Sequence, residues 1–366
     1  MSAGFGWDVG GVHLKAARCD WSGDPRRAAR AGAAPDRGRP SGGLAWRLEP
    51  FAVWREPQEL AGRLGALARD LGAAPGSAHA VTMTAELSDI FPDRAAGVQT
   101  ILTAARQALG DHLVVLDVDG ELIAAPVAAS RPERVAAANW MATATLAADL
   151  LGDGLLIDTG STTTDIVPLA AGRPAPSARD DTGRLGCGEL VYTGALRTPP
   201  AALADRVPLG DGACRTAPEH FTTMADAYVL LGRIDAADYT VETADGRGRS
   251  RAECAARLAR LVAAGPGDLG EAALLRIAAF LEERQVLLIA EAIGEVIRRM
   301  DRPSRALVAG AGAWLAAAAA RRAGLEPTPL AQAAGFEAAG GGAGGAWDVA
   351  APAVALAIRL AAHRRT

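Results

Sequence analysis

Two short segments of this chain place an aspartate at the end of an apolar run and a glycine turn directly after it. The segments are Asp8-Val9-Gly10-Gly11 and Asp158-Thr159-Gly160-Ser161-Thr162-Thr163. Glycines let backbone N–H groups approach an oxyanion closely, and hydroxyl groups donate to it as well. An aspartate at a strand end can hold Mg²⁺, which prefers one or two carboxylates together with waters and phosphate oxygens. The segments therefore predict two phosphate-binding turns, with a magnesium ion at Asp8 and Asp158.

The two segments differ in how strongly they point to a ligand. A single Asp-x-Gly-Gly sequence is more often an ordinary hairpin turn, and that alternative stays open for the first segment. In the second segment, four consecutive hydroxyl residues lie between Asp158 and Asp165. Packing alone does not explain this pattern, so a phosphate site is the favoured interpretation there. Lys15 follows the first turn and is expected to contact a phosphate as a point charge.

A third turn, Gly310-Ala311-Gly312, separates an apolar strand from an alanine-rich helix. Anions bind near the N-terminus of such a helix, and a nucleotide or another planar ligand can pack on the turn. A single Gly-x-Gly is a weak signal. A tight strand-to-helix turn without a ligand is an equally good interpretation of Gly310 and Gly312.

The elements that must position these turns recur in two halves of the chain. Each half begins with an apolar strand ending in aspartate, a glycine turn and a returning strand, which suggests an internal duplication. The predicted strands lie at 5–8, 13–18, 46–54, 78–83, 113–118, 154–158, 165–169 and 306–309. The predicted helices lie at 60–71, 97–109, 135–151, 252–263, about 269–300, directly after Gly312, and at 347–362. Glycine-rich stretches predict loops at 22–43 and 340–345.

This pattern predicts an α/β protein with two domains. The first covers residues 1–150 and carries the first phosphate turn, and the second covers 151–346 and carries the other two turns. The last helix, 347–366, is an element that can pack back on the first domain.

Length and composition narrow the classes of protein further. The 366 residues are 50% hydrophobic, which is enough for a large core in each of two domains. A net charge of −4, without a basic run interleaved with aromatic residues, argues against nucleic acid as a partner. No signal peptide and no apolar run of membrane-spanning length is evident, so we expect a cytoplasmic protein. The four cysteines match no zinc pattern.

The three turns, taken in this order, resemble the two phosphate segments and the adenosine segment of the actin, sugar-kinase and heat-shock-chaperone superfamily. The resemblance implies duplicated ribonuclease-H-like domains with a ligand in the cleft between them. Kinases, ATPases and other enzymes share this fold, so the function must be argued from the site. Sugar kinases place a hydroxyl residue where this chain has Val12, and this difference argues against a contact with the γ-phosphate of ATP.

A finer resemblance extends over nearly the whole chain. It rests on residues 6–15, 81–89, 138–140, 158–165, 188–194, 197–199 and 243–247. These segments are similar to a hydantoinase/oxoprolinase-related branch of tetrahydromethanopterin-linked C1-transfer proteins, whose best-understood members are condensing enzymes of methanofuran biosynthesis. The resemblance implies a transferase that joins 5-(aminomethyl)-3-furanmethanol diphosphate to the phenol of γ-glutamyltyramine. An aryl ether forms and pyrophosphate leaves with the help of Mg²⁺.

Particular residues suit that reaction. The leaving diphosphate needs Mg²⁺ and donors, which the two phosphate turns and Lys15 can supply. The phenol, with an ordinary pKa of about 10, must lose its proton to a carboxylate or a histidine. His13, Glu86 and Asp89 are the candidates, and the sequence does not choose among them. The alternatives are a hydrogen-bonded strand histidine and carboxylates that serve a cap or a turn.

Further residues are expected to line the same site. Tyr192 and Arg197 suit the γ-glutamyl carboxylates, since arginine binds a carboxylate through two hydrogen bonds. The alternative for Arg197 is an ordinary surface arginine. The remaining candidates are Asp165 for catalysis and, for substrate binding, Asn139 and Glu189.

Two other functions remain open. One is an ATP-dependent kinase or amide hydrolase of the same superfamily. The other is a non-catalytic nucleotide-binding regulator, against which the aspartates of both turns argue. Gln285, which shares a helix face with Leu281 and Leu288, is expected to be a hydrogen-bonded core amide. Only small molecules are expected as partners, and a homodimer is neither required nor excluded.

Overall fold

The computed structural model describes residues 3–20, 43–335 and 349–363. The loop expected at 22–43 lies outside these ranges except for its last residue, and the glycine-rich loop expected at 340–345 lies outside them entirely. We call the described residues before Gly152, together with the C-terminal helix, the first lobe. Residues 152–335 form the second lobe.

The first lobe is built on a six-stranded sheet. Its strands are β1 (Gly4–Val9), β2 (His13–Cys19), β3 (Leu44–Pro50), β4 (Ala78–Met83), β5 (Leu113–Leu116) and β6 (Leu122–Ala124). Their order is β3-β2-β1-β4-β5-β6. The hairpin of β1 and β2 and the pair of β2 and β3 are antiparallel, whereas β1, β4 and β5 are parallel. Every residue of β1 is buried, as expected for a central strand covered on both faces.

The second lobe repeats this arrangement. Its strands are β7 (Gly154–Thr159), β8 (Thr164–Ala170), β9 (Arg173–Pro174), β10 (Leu190–Val191), β11 (Arg206–Leu209), β12 (Gly212–Arg215), β13 (Arg305–Ala309) and β14 (Glu326–Pro329). The sheet order is β10-β8-β7-β13-β14, with β9 on β8 and β11–β12 as a separate hairpin. Again a central strand forms an antiparallel hairpin on one side and a parallel pair on the other. The repeat confirms the predicted duplicated ribonuclease-H-like fold.

Eleven α-helices in the described residues surround the sheets. They are α1 (Leu60–Asp70), α2 (Arg94–Leu109), α3 (Ala125–Ser130), α4 (Asn139–Leu151), α5 (Asp181–Gly186), α6 (Met224–Leu231), α7 (Arg251–Arg260), α8 (Glu271–Ile297), α9 (Ala313–Arg322), α10 (Leu330–Ala333) and α11 (Ala351–His363). Single 3-10 turns lie at Pro57–Glu59, Ala85–Leu87, Pro132–Arg134 and Pro200–Ala202. None of the helices in the described part of the chain has the length and apolarity that a bilayer span requires.

Helices α4 and α11 lie between the two sheets. One buried cluster joins side chains of both sheets to these helices, among them Ala17, Leu156 and Val354. Helix α11 approaches β1 so closely that a Cβ at Gly4 or Gly6 would collide with its backbone carbonyls. Small residues on the helix and glycines on the strand therefore allow the close packing of α11 on the first sheet.

Several element boundaries differ from the sequence prediction. Helix α2 begins at Arg94, ahead of the predicted start, because Asp93 caps it by accepting a hydrogen bond from the Ala96 amide. Helix α4 begins at Asn139, since the preceding residues form a 3-10 turn that starts at Pro132. Helix α6, which begins with a Thr223–Asp226 capping box, lies in a region where no helix was predicted.

Candidate active site

The first turn holds a carboxylate that is paired on one oxygen only. Asp8 lies opposite Lys15 across the β1–β2 hairpin, and the Lys15 Nζ donates to Asp8 Oδ2 at 2.7 Å. Asp8 is 1% exposed, and its Oδ1 has no hydrogen-bond donor. At the turn itself, the Gly10 amide donates to the His13 carbonyl at 3.1 Å. A Cβ at Gly10 would lie 2.9 Å from that carbonyl, so the turn needs glycine there.

His13 begins the returning strand, where the charges of two cations act on it. Its side chain is buried and its Nε2 has no hydrogen-bond partner. Burial, Lys15 and Arg197 lower the pKa of His13 to about 4, while Asp8 opposes this shift. His13 is therefore neutral at neutral pH, and Arg197 of the second lobe lies close enough to the first turn to act on it.

The second turn is held in shape by a loop that follows β10. Within the turn, the Gly160 amide donates to the Thr163 carbonyl at 2.8 Å. From the loop, the amides of Ala195 and Arg197 donate to the carbonyls of Gly160 and Ser161, each at 2.9 Å. These bonds fix the backbone of Arg197 beside the turn while its side chain remains exposed. The hydroxyls of Ser161 and Thr162 lie 3.4 Å apart.

The third turn packs directly against the second. Gly310 has φ +89°, and a Cβ there would collide with the Asp158 carboxylate and the Thr159 carbonyl. The Gly312 amide donates to that same carbonyl at 2.7 Å. The structure therefore brings Asp158 and the two glycines together, and the glycines are explained by close packing of the strands.

Asp165 lies opposite Asp158 across the β7–β8 hairpin and is balanced by an arginine that the sequence did not single out. Arg184, on α5, pairs with Asp165 Oδ1 at 2.9 Å and is itself buried. Its guanidinium lies 3.9 Å from the ring centre of Trp140, which belongs to α4 of the first lobe. Burial raises the pKa of Asp165, and Arg184 opposes the rise. Arg184 thus links the second hairpin to the first lobe.

Glu86 lies in the 3-10 turn that follows β4, next to the first phosphate turn. Its Oε1 accepts a hydrogen bond from the Ala137 amide at 2.7 Å, whereas its Oε2 is buried without a partner. Burial raises the pKa of Glu86 to about 7. Its own amide, the Ala137 amide and Arg94 oppose this shift, and Asp181 of the second lobe adds to it.

The other predicted residues differ in what surrounds them. Asp89 is exposed, and Tyr192 is 71% exposed. Asn139 begins α4, and its Oδ1 accepts a hydrogen bond from the Trp140 amide at 2.9 Å. Glu189 is fully buried, and both of its carboxylate oxygens accept from the Ser177 amide. The Ser177 amide therefore occupies the Glu189 carboxylate, while the Glu189 carbonyl accepts from the Ile166 amide of the second hairpin.

The polar residues of the second lobe core were only partly foreseen. Gln285 is confirmed as a core amide: it donates to Gly194 O and Thr193 Oγ1, and accepts from the Tyr228 hydroxyl. Nothing in the sequence indicated the buried pair of Arg257 and Asp226, which lie 2.8 Å apart. Arg257 also contacts Asp245 and the Gly248 carbonyl. This network therefore joins α6, α7 and the loop between them.

The donor set fits a magnesium ion that draws most of its ligands from outside the protein. In the described residues, no three histidine, cysteine, aspartate or glutamate side chains converge. Asp8 Oδ1 is a buried carboxylate oxygen without a donor, and Lys15 takes the other oxygen. One or two carboxylates with waters and phosphate oxygens are the usual magnesium environment, so Asp8 and Asp158 would hold the ion only together with a phosphate ligand.

A cavity of about 630 Å³ lies away from these turns. It is lined by residues 148–153, 171–173 and Arg305, at the amino end of β7 and β13. The second and third turns lie at the carboxyl end of the same strands, and the first turn lies at the carboxyl end of β1, where ligands bind in open α/β sheets. We therefore place the site at the turns and not in this cavity.

Comparisons with known proteins point to one family. The hydantoinase/oxoprolinase family model matches residues 77–347. A (4-{4-[2-(γ-L-glutamylamino)ethyl]phenoxymethyl}furan-2-yl)methanamine synthase from Methanocaldococcus jannaschii is 33% identical over 223 residues, covering 61% of this chain and 67% of that protein. A synthase of the same name from Methanococcus vannielii is 34% identical over 108 residues, covering 30% of this chain and 48% of the relative.

Among solved structures, the ethanolamine utilization protein EutJ from Carboxydothermus hydrogenoformans is similar with a TM-score of 0.45 and 14% identity. The match covers 97% of this chain and 90% of that one.

Proposed function

This chain belongs to the hydantoinase/oxoprolinase family, and we propose that it is a synthase that builds an aryl ether between a furan and a phenol. The proposed substrates are 5-(aminomethyl)-3-furanmethanol diphosphate and γ-glutamyltyramine. The observation that carries the proposal is the 33% identity to a synthase whose name describes this ether, in a match that covers 67% of that synthase. The phenoxymethyl group in that name contains the bond that the reaction would form, between the phenol oxygen of the tyramine and the furan CH₂.

The reaction exchanges one C–O bond for another. The phenol oxygen forms a bond to the furan CH₂, and the bond from that CH₂ to the diphosphate breaks. The electron pair of the broken bond leaves with pyrophosphate, and the phenolic proton passes to a base on the protein. Because the furan stabilises positive charge at its CH₂, the displacement is loose, and catalysis rests on electrostatic stabilisation of the leaving group.

The two phosphate turns supply groups suited to that leaving group. Backbone amides near Gly10 and Gly11 and the hydroxyls of the second turn can donate to diphosphate oxygens. Lys15 and Arg197 add positive charge from the two lobes, and both lie close enough to His13 to lower its pKa. This position favours a role for Arg197 at the diphosphate, beside its predicted role at the γ-glutamyl carboxylates. Mg²⁺, held by Asp8 and Asp158, would neutralise charge on the diphosphate when bound.

A second candidate is suggested by the family description itself. The matched family is named for hydantoinase and oxoprolinase, which favours an amide hydrolase, with an ATP-dependent kinase as the related alternative. The two classes differ in what they consume. The synthase needs an activated furan diphosphate and releases pyrophosphate, whereas the alternatives require ATP.

The test is a direct assay of the purified protein. We expect incubation with Mg²⁺, the furan diphosphate and γ-glutamyltyramine to give the ether and pyrophosphate, both detected by mass spectrometry. The furan monophosphate serves as the matched control and should give no ether. ATP with hydantoin or 5-oxoproline is tested in parallel. ATP consumption without ether formation from the first mixture would refute the synthase and support the second candidate.

A further inference from the structure

The fold gives only one of the two carboxyl oxygens of Glu86 a hydrogen-bond partner. The side chain is 1% exposed, and the Ala137 amide donates to Oε1 at 2.7 Å while Oε2 has no partner. A buried polar atom without a hydrogen bond is costly, so such atoms require an explanation. Ala137 has φ +51°, a left-handed conformation that is rare for a residue with a Cβ. The chain thus accepts local strain where it aims an N–H group at one oxygen of Glu86 and leaves the other oxygen unpaired.

Glu86 is placed beside the first phosphate turn by the residues on both sides of it. The Thr84 amide donates to the Val9 carbonyl at 3.0 Å. The Ser88 hydroxyl lies 3.9 Å from where a Cβ of Gly11 would be. Two residues beyond Ala137, α4 begins at Asn139, and across the cleft the first turn of α5 brings Asp181 close enough to affect Glu86. Glu86 therefore lies between the turn that would bind the diphosphate and the start of α4.

The other two candidates for the base are less suitable. Burial, together with the charges of Lys15 and Arg197, lowers the pKa of His13 to about 4. A histidine there is a weak proton acceptor, and the surrounding positive charge suits the diphosphate better. Asp89 is exposed to solvent, so water competes with the acceptor for its carboxylate.

We propose that Glu86 is the catalytic base, which removes the phenolic proton of the acceptor as the ether bond forms; this assignment rests on the proposed function. Oε2 takes the proton, the phenol oxygen bonds to the furan CH₂, and pyrophosphate leaves with the electron pair of the broken C–O bond. The proton then passes to solvent when the product leaves. The Ala137 amide holds Oε1, so that Oε2 is the oxygen presented to the acceptor.

The electrostatic environment supports this role. Burial is the main cause that raises the pKa of Glu86 to about 7, and Asp181 on α5 acts in the same direction. The amides of Glu86 and Ala137 and the charge of Arg94 on α2 act in the opposite direction. A base with a pKa near the working pH combines a sizeable ionised fraction with the strength to accept a proton.

The test compares Glu86→Gln with Asp89→Asn. Glutamine keeps an oxygen for the Ala137 amide and removes only the proton-accepting group. We expect the rate constant for ether formation to fall roughly 100- to 1,000-fold in Glu86→Gln, with little change in the affinity for pyrophosphate measured by calorimetry. Asp89→Asn should behave like the wild type. The wild-type rate should rise with pH and level off above about 7, the pKa of Glu86. The rate of Glu86→Gln should instead keep rising with the ionised fraction of the phenol, without levelling off near 7.

A second acceptor separates a catalytic role from a structural one. With a ring-fluorinated γ-glutamyltyramine whose phenol is already ionised at the assay pH, no base is needed, so the rates of Glu86→Gln and the wild type should converge. If the wild type forms the ether and Glu86→Gln matches its rate and pH profile, the assignment of the base is wrong and the synthase stands. If the deficit of Glu86→Gln is the same with both acceptors, Glu86 is not the base. If the wild type forms no ether, the proposed function fails and the assignment with it.

Discussion

The two hairpins that carry the phosphate turns have the same backbone design and opposite charge patterns. In the first, Asp8 faces Lys15 across the strands, and the two form a salt bridge. At the equivalent position of the second, Asp158 faces Asp165, so two carboxylates stand where the first hairpin has a carboxylate and an ammonium. The first hairpin balances its own charge, whereas the second depends on an arginine from elsewhere in the chain.

That arginine ties the second hairpin to the other lobe. Arg184 pairs with Asp165 and lies over the ring of Trp140. The arginine that balances the second hairpin therefore also packs on the first lobe, whereas Lys15, which balances Asp8, belongs to the first hairpin itself. A duplicated unit can thus keep one fold while one copy pairs its aspartate within the hairpin and the other takes its partner from a separate helix.

The largest expected effect is on the second hairpin. Arg184→Met should lower the free energy of unfolding by about 3–5 kcal/mol, because it leaves the Asp165 carboxylate without its partner and removes the contact with Trp140. Urea denaturation measures this change. In Arg184→Met/Asp165→Asn, which removes the unpaired charge, part of the loss should be recovered.

A neighbouring arginine provides the control for this experiment. Arg179 also reaches across the lobes, to Asp119 at 3.2 Å, but both side chains are largely exposed. Arg179→Met should cost about 1 kcal/mol or less. Equal losses in the two single variants would contradict the special role of Arg184 in the second hairpin.

The next prediction concerns Asp8 and Asp158, the aspartates at equivalent positions of the two hairpins. Asp8→Asn and Asp158→Asn should each reduce ether formation roughly 100-fold, equivalent to about 3 kcal/mol, because each removes a charge from the magnesium and diphosphate site. Both variants should remain folded, as judged by circular dichroism. The control is Asp211→Asn in the exposed β11–β12 turn. Near-wild-type turnover of either variant at saturating Mg²⁺ would rule out its carboxylate as a metal ligand.

A smaller effect is expected where the third turn supports the second hairpin. Gly310→Ala should destabilise the protein by about 1–3 kcal/mol, since it adds a Cβ collision to an unfavourable φ. Gly324 is a matched control, because its φ is +82° and no atom lies within 4 Å of a Cβ there. Gly324→Ala should therefore cost about 1 kcal/mol. Thermal unfolding of both variants measures the difference, and equal melting temperatures would show that the turn relaxes without cost.

The smallest effect at neutral pH is expected at His13 in the first hairpin. The pKa of His13 is lowered from 6.5 to about 4, so the unfolded chain binds a proton in this window that the folded chain does not. Stability of the wild type should therefore decline as the pH falls from 6.5 to 4, and His13→Gln should lack this part of the decline. Urea denaturation of both proteins across this range gives the difference, from which the opposite contribution of Glu86 cancels. Parallel pH profiles would show that His13 takes up a proton in the fold.

The two glycine turns that follow Asp8 and Asp158 could be predicted from sequence because their signals are local. Glycine and hydroxyl residues next to a strand-ending aspartate define the turns at Asp8 and Asp158 without reference to the rest of the chain. Arg184 could not be found this way, since its partners Asp165 and Trp140 are distant in sequence and nothing around Arg184 distinguishes it. The same limit applies to Glu189, whose carboxylate is occupied by the Ser177 amide, a contact that only the folded chain reveals.

The packing of α11 on β1 has a consequence for how the protein is made. The first strand of the first lobe is covered by the helix at residues 351–363, whose carbonyls lie against Gly4 and Gly6. A ribosome therefore releases the first sheet long before it releases the helix that completes it. During synthesis one face of that sheet lacks this cover while the whole second lobe emerges, and contacts so distant in sequence form slowly. The first lobe thus finishes folding last, although it is translated first.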